Sequence, residues 1–191
     1  NNQAIRLAKG EYILLLNPDT VVEEDTFLKC IAFMDEHRDC GGLGIKMIDG
    51  SGKILKESKR GFPTPWASFC KMSGLTSLFP HSKRYAQYYM GHLSYDETNE
   101  VDILAGAYMM MRKECLDKVG LLDEDFFMYG EDIDLEFRLA HKGIPSVSRK
   151  CQLVQFHCYH KHFDTNYPPN KQLLQENIDN HISYTPYGIC K

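Results

Sequence analysis

No stretch of this chain is long and apolar enough to span a bilayer. A spanning helix needs roughly 20 apolar residues in a row. The longest apolar run, Ile103 to Met111, includes Gly106 and stops far short of that. Cationic excess is missing as well. The chain has 22 basic residues against 26 acidic ones, a formal net charge of −4, which excludes the electrostatic footprint of a general nucleic-acid binder. Internal repeats and low-complexity tracts are absent. The 7 cysteines contain no C-x-x-C pair. Their odd number and scattered spacing argue against a disulfide framework and for a reducing cytosol. No signal peptide precedes the amphipathic start Ala4, Ile5, Leu7, Ala8, so the expectation is an incomplete piece, with its upstream part outside this chain.

What remains is ordinary globular material. A length of 191 residues means one domain, or one and a fragment. With 43% hydrophobic and 25% charged residues, the chain has neither the low hydrophobicity nor the high charge of disorder.

The spacing predicts a helix over residues 1–9, closed by Gly10 in a left-handed cap. Tyr12–Leu16 is a continuous apolar run, suited to a strand covered on both faces, and Asn17-Pro18-Asp19 ends it. Acidic Glu23-Glu24-Asp25 opens a helix whose apolar stripe is expected at Phe27, Leu28, Ile31 and Met34. Leu43–Ile48 reads as a strand, with Asp49-Gly50-Ser51-Gly52 turning into Lys53–Lys56 as a hairpin. Residues 58–100 are rich in proline and aromatics and predict a long excursion with short helices, often a functional element. Val101–Arg112 returns to strand composition around Ala105-Gly106-Ala107. Two helices follow, Lys113–Val119 and Glu131–Lys142, the latter expected to bury Ile133, Phe137 and Ala140. Cys151–Phe156 has strand character, and the rest of 144–191 has no assignment. Alternating strands and helices indicate an α/β sandwich with a mainly parallel sheet.

Four constellations bear chemistry. Asn17-Pro18-Asp19 sits at the carboxyl end of a buried strand, where open α/β sheets bind ligands. A carboxylate there suits a hard cation such as Mg²⁺ or Mn²⁺, although the tripeptide is equally ordinary turn chemistry. Asp123 to Asp134 places six carboxylates around Phe126-Phe127-Met128-Tyr129, an enclosure a solvated charge run would not normally have. Glu131 and Asp132 fall at a helix start, whose free N–H groups stabilise an ionised carboxylate able to take a proton. The plainer reading is an acidic helix start with Asp134 and Arg138 paired. Ala105-Gly106-Ala107 within a strand pattern marks a close approach of ligand, or a bulge. His157, Cys158, His160 and His162 lack a second Cys/His pair at zinc-finger spacing. One histidine joining carboxylates at a metal is the better reading.

Taken in order, Ala4 to Asp19, Leu104 to Ala107 and Gly120 to Asp134 resemble the family 2 glycosyltransferases of the GT-A fold, rhamnosyltransferase-like bacterial members above all. The resemblance covers residues 1–143, as a partial GT-A domain lacking its first strands, with 144–191 as a separate C-terminal segment. It implies a three-layer sandwich and an inverting transfer from a nucleotide-diphosphate sugar to a glycan or lipid-linked acceptor in cell-envelope polysaccharide synthesis. Asp19 would hold a divalent ion with His157, His160 being second choice. Asn17, Pro18, Ala105, Gly106 and Ala107 would line donor and acceptor. Asp132, beside Glu131, would be the catalytic base. A cytoplasmic location, with peripheral association at a membrane's inner face, goes with such acceptors, and nucleic acid is not a partner. Two other classes stay open. One is a non-catalytic fragment without a donor-base pocket; the other is a nucleotidyltransferase on a related scaffold.

Overall fold

The structure is a computed structural model. It describes residues 1–157 apart from 19, 50–51 and 127–129, and from 150 onward the backbone alone. Among the described residues six strands form one sheet: β1 (Tyr12–Leu16), β2 (Thr20–Val22), β3 (Gly42–Asp49), β4 (Asn99–Val101), β5 (Tyr108–Arg112) and β6 (Ser146–His157). Their order is β1-β5-β3-β6-β2, with β4 also paired to β6. The helices are α1 (Asn2–Leu7), α2 (Thr26–Glu36), α3 (Pro65–Met72), α4 (Leu75–Leu78), α5 (Lys113–Val119) and α6 (Glu131–His141).

Strand periodicity sorts the core into two layers. Ile13 of β1 and Met109 and Met111 of β5 pack with Ile5, Leu116, Leu135 and Leu139 from α1, α5 and α6. The intervening Tyr108 and Met110 pack on the opposite side with Cys30, Phe33 and Met34 of α2. Alternate side chains must leave a strand on opposite faces, so one short run feeds both cores. This is the expected three-layer α/β arrangement.

The expectation of a mainly parallel sheet is corrected. Among the described strands only β3 and β6 run parallel, while β1–β5, β3–β5, β2–β6 and β4–β6 are antiparallel. Helices on both faces demand strands apolar on both sides, whichever way they run. The pattern that suggested parallel pairing therefore reports burial, not direction.

Other local expectations shift as well. Gly10 has no positive φ; α1 ends earlier, at an extended Ala8. The buried face of α2 is Thr26, Cys30, Phe33 and Met34, leaving Phe27, Leu28 and Ile31 exposed. α6 buries Leu135, Glu136 and Leu139, while Phe137 faces solvent. The Asp49 hairpin forms, through Asp49 N–H to Lys53 O and an Ile48–Ile54 bridge. It passes into a 3-10 turn at Lys56–Ser58 rather than a full strand. β6, which begins after residue 143, lies inside the same sheet, between β3 and β2. The four cysteines with described side chains, Cys30, Cys40, Cys70 and Cys115, are buried and free.

Buried Arg112 joins the layers. Its guanidinium donates to the carbonyls of Met34, His37 and Cys40, so it satisfies acceptors left open at the end of α2. Asn2 clamps the chain start to the loop before α6. Its amide donates to Leu122 O (2.7 Å) and its carbonyl accepts from Leu122 N (3.1 Å).

Candidate active site

β1 ends at Leu16, and Asn17 N–H donates to Ala107 O at 3.0 Å. That bond ties the turn after β1 to the loop before β5. α6 begins just across from this loop. Gly130, at φ 109°, provides the left-handed turn that starts the helix, and Glu131 and Asp132 occupy its first turn. The result is a cleft of about 340 Å³ lined by Asn17, Gly106, Ala107, Glu131 and Asp132, with Leu15, Leu16 and Leu122 as apolar wall.

Five of the residues singled out in the sequence thus meet, from three stretches of chain that lie far apart. Pro18 stands in the turn beside Asn17, and Ala105 is buried behind the loop, its carbonyl accepting from Tyr108 N–H. Asp19 and His160 lie outside the described residues. For His157 the backbone alone is described: it ends β6, in register opposite Thr20 and Asp49.

Asp132 is held in place. Its Oδ2 accepts from Arg60 Nη2 at 2.5 Å and its Oδ1 from Ile133 N–H at 2.9 Å. Arg60 also donates to Leu104 O at 3.0 Å. The two side chains are 18% and 19% exposed, so the pair is largely shielded from water. Gly106 leaves room beside this carboxylate; an added Cβ would stand 3.9 Å from Asp132 Oδ2. Glu131 Oε2 is buried and has no hydrogen-bond partner among the described residues. An unpartnered buried carboxylate oxygen on a cleft wall is costly unless a cation or hydroxyl meets it. Among the described residues, no three His, Cys, Asp or Glu side chains cluster as a metal cage.

One turn further along α6, Glu136 is buried beneath the site. Ser146 Oγ donates to its Oε2 at 2.5 Å, and its Oε1 has no hydrogen bond of good geometry among the described residues. Burial pushes its carboxyl up to about 8, with the charge of Asp132 adding to the rise. Asp134 makes the i,i+4 pair with Arg138 (Nε to Oδ2, 2.8 Å), and Arg138 also donates to the Val119 and Leu121 carbonyls. Asp134 is therefore structural.

Sequence reasoning missed Arg60 and Glu136. Glu136 was detectable, four residues after Asp132 and so on the same helix face. Arg60 carried no signal, because 72 residues separate it from its partner.

The layers and cleft define the GT-A glycosyltransferase fold. The solved structure of GalNAc-T7 with UDP, GalNAc and Mn²⁺ matches 84% of this chain and 30% of its own, with a TM-score of 0.55 and 16% identity. The family model described as "Glycosyltransferase like family 2" matches residues 1–167, and the chain belongs to that family. Rhamnosyltransferase WbbL of Escherichia coli (strain K12) is 30% identical over 81% of this chain and 54% of its own length. The low-salt glycan biosynthesis hexosyltransferase Agl10 of Haloferax volcanii is 24% identical over 81% and 45%. The O-antigen biosynthesis protein RfbC of Myxococcus xanthus is 25% identical over 77% and 11%. The chain thus spans about half the length, or less, of the curated relatives it matches. No helix among the described residues is long and apolar enough to cross a membrane.

Proposed function

We propose that this chain carries the catalytic face of an inverting glycosyltransferase. It would move a sugar from a nucleotide-diphosphate donor to a hydroxyl of a glycan or lipid-linked glycan, in cell-envelope polysaccharide synthesis on the cytoplasmic side. The observation that carries the reading is the convergence of Asn17, Gly106, Ala107, Glu131 and Asp132 on one cleft. Its likeness to a rhamnosyltransferase and a hexosyltransferase supports it.

Asp132 takes the proton from the acceptor hydroxyl. Its carboxylate lies in the first turn of α6, where the helix dipole favours negative charge. Arg60 and the Ile133 amide fix both oxygens, so little reorientation is needed when the hydroxyl arrives. Attack from that side, opposite the departing diphosphate, inverts the anomeric carbon. Gly106 and Ala107 leave space for the sugar between Asn17 and Asp132. Asp19 and His157 would hold the divalent ion, Mg²⁺ or Mn²⁺. When bound, the ion neutralises charge developing on the diphosphate.

Titration calorimetry with a panel of sugar nucleotides and Mn²⁺, followed by product analysis, tests the reading. Donor binding and release of a nucleoside diphosphate are expected. Release of pyrophosphate would indicate a nucleotidyltransferase instead, and no binding to any donor would leave a non-catalytic piece.

A further inference from the structure

The excursion between β3 and β4 has a composition unlike the rest of the chain. From Ser58 to Tyr95 it contains no Asp or Glu, yet it carries Lys59, Arg60, Lys71, Lys83 and Arg84, in a chain of net charge −4. Lys59 and Arg60 turn inward, Lys59 onto Leu93 O and Arg60 onto Asp132. Lys71, Lys83 and Arg84 remain at the surface.

Large apolar side chains stand among them. Met72 is 88% exposed, Leu78 69% and Phe69 55%, and Trp66 and Phe79 are also open to solvent. These are not scattered. Trp66 stacks on Phe69 at 5.8 Å, Tyr85 lies 6.2 Å from Trp66 and 5.3 Å from Phe79, and Arg84 sits over both Trp66 and Tyr85. Lys71 lies 3.7 Å above the Tyr88 ring. The patch is also firmly built. Thr64 caps α3 by accepting from Ala67 N–H, Trp66 Nε1 donates to Arg84 O, and Thr76 Oγ1 donates to Tyr85 O.

We propose that α3, α4 and the loop through Tyr85 form a surface that seats on an anionic lipid bilayer. Exposed aromatic and aliphatic side chains rimmed by cations, on a segment that itself carries no Asp or Glu, match the interfacial region chemically. Apolar tips enter the acyl boundary and Lys or Arg meets anionic headgroups. Charge complementarity selects this occupant over an uncharged apolar partner. The surface also continues toward the cleft. Phe62, Pro63 and Thr64, just before α3, form with Ile133 and Phe137 an apolar groove beside the first turn of α6. As the point where a lipid-linked acceptor meets Asp132, the surface rests on the transferase reading; the seating itself involves no catalysis.

Trp66 is the sole tryptophan of the chain, so its fluorescence reports directly on the patch. The whole chain is titrated with phosphatidylglycerol/phosphatidylethanolamine vesicles and with neutral phosphatidylcholine vesicles, at low and high salt. A blue shift and co-sedimentation are expected on the anionic vesicles, weakened by salt. The double variant K83E/R84E should lose roughly 25-fold or more in partition, at about five-fold per surface cation. M72S/L78S should bind more weakly while keeping the far-UV circular dichroism of the parent. Equal binding to neutral vesicles, undiminished binding by K83E/R84E, or no binding at all would overturn the proposal. Sugar-nucleotide calorimetry on the same samples separates the two readings, since vesicle binding without donor binding would sink only the transferase.

Discussion

Replacing Glu136 by Gln should change how stability depends on pH. A carboxyl in water titrates near 4.5, whereas burial lifts this one to about 8. The folded state therefore holds a proton that the unfolded chain gives up. The stability this contributes is fully present below about pH 4.5 and is lost progressively as pH rises through about 8. At roughly 1.36 kcal/mol per pH unit, the loss between about pH 5.5 and 8 is on the order of 3 kcal/mol. Glutamine is nearly isosteric and can still accept from Ser146 Oγ, but it has no charge to bury. The difference in unfolding free energy between Glu136→Gln and the parent should thus move in the variant's favour by about that amount over this range, and level off above it. Urea denaturation of both proteins at a series of pH values reads this directly. Subtracting the parent removes titrations common to both. A difference that is flat with pH would refute the claim that Glu136 is held protonated.

Four further outcomes follow from the same geometry. Asp132→Asn should lower turnover by between about 10² and 10⁴ in a donor-consumption assay, with donor affinity by calorimetry nearly unchanged. Arg60→Met should free the base to wander, reducing kcat by up to about 10²-fold with little effect on donor KM. Gly106→Val should leave the melting temperature close to the parent's, because among the described residues beyond its chain neighbours only Asp132 lies within 4 Å of the new Cβ. It should raise donor KM by narrowing the cleft. Gly44→Val should instead destabilise by about 1–3 kcal/mol in denaturant titrations, since a Cβ there would meet Leu104 Cδ2 at 2.9 Å.

The chain's own letters determined most of the element types, the three-layer class and the ordered segments that meet at the cleft. These depend on local spacing. An apolar run of five residues before Asn17-Pro18 makes a buried strand wherever it packs, and Gly130 followed by acids starts a helix on its own account. Sheet direction, by contrast, was decided by tertiary structure, since covering layers on both faces require the same apolar strand either way. The seating of α2 was decided there as well. Apolar side chains lie around most of that helix, so periodicity could not select Cys30 and Phe33 over Leu28 and Ile31. Arg60 gained its part only when folding brought it within 2.5 Å of Asp132. Electrostatic pairing acts through space, and distance along the chain carries no trace of it.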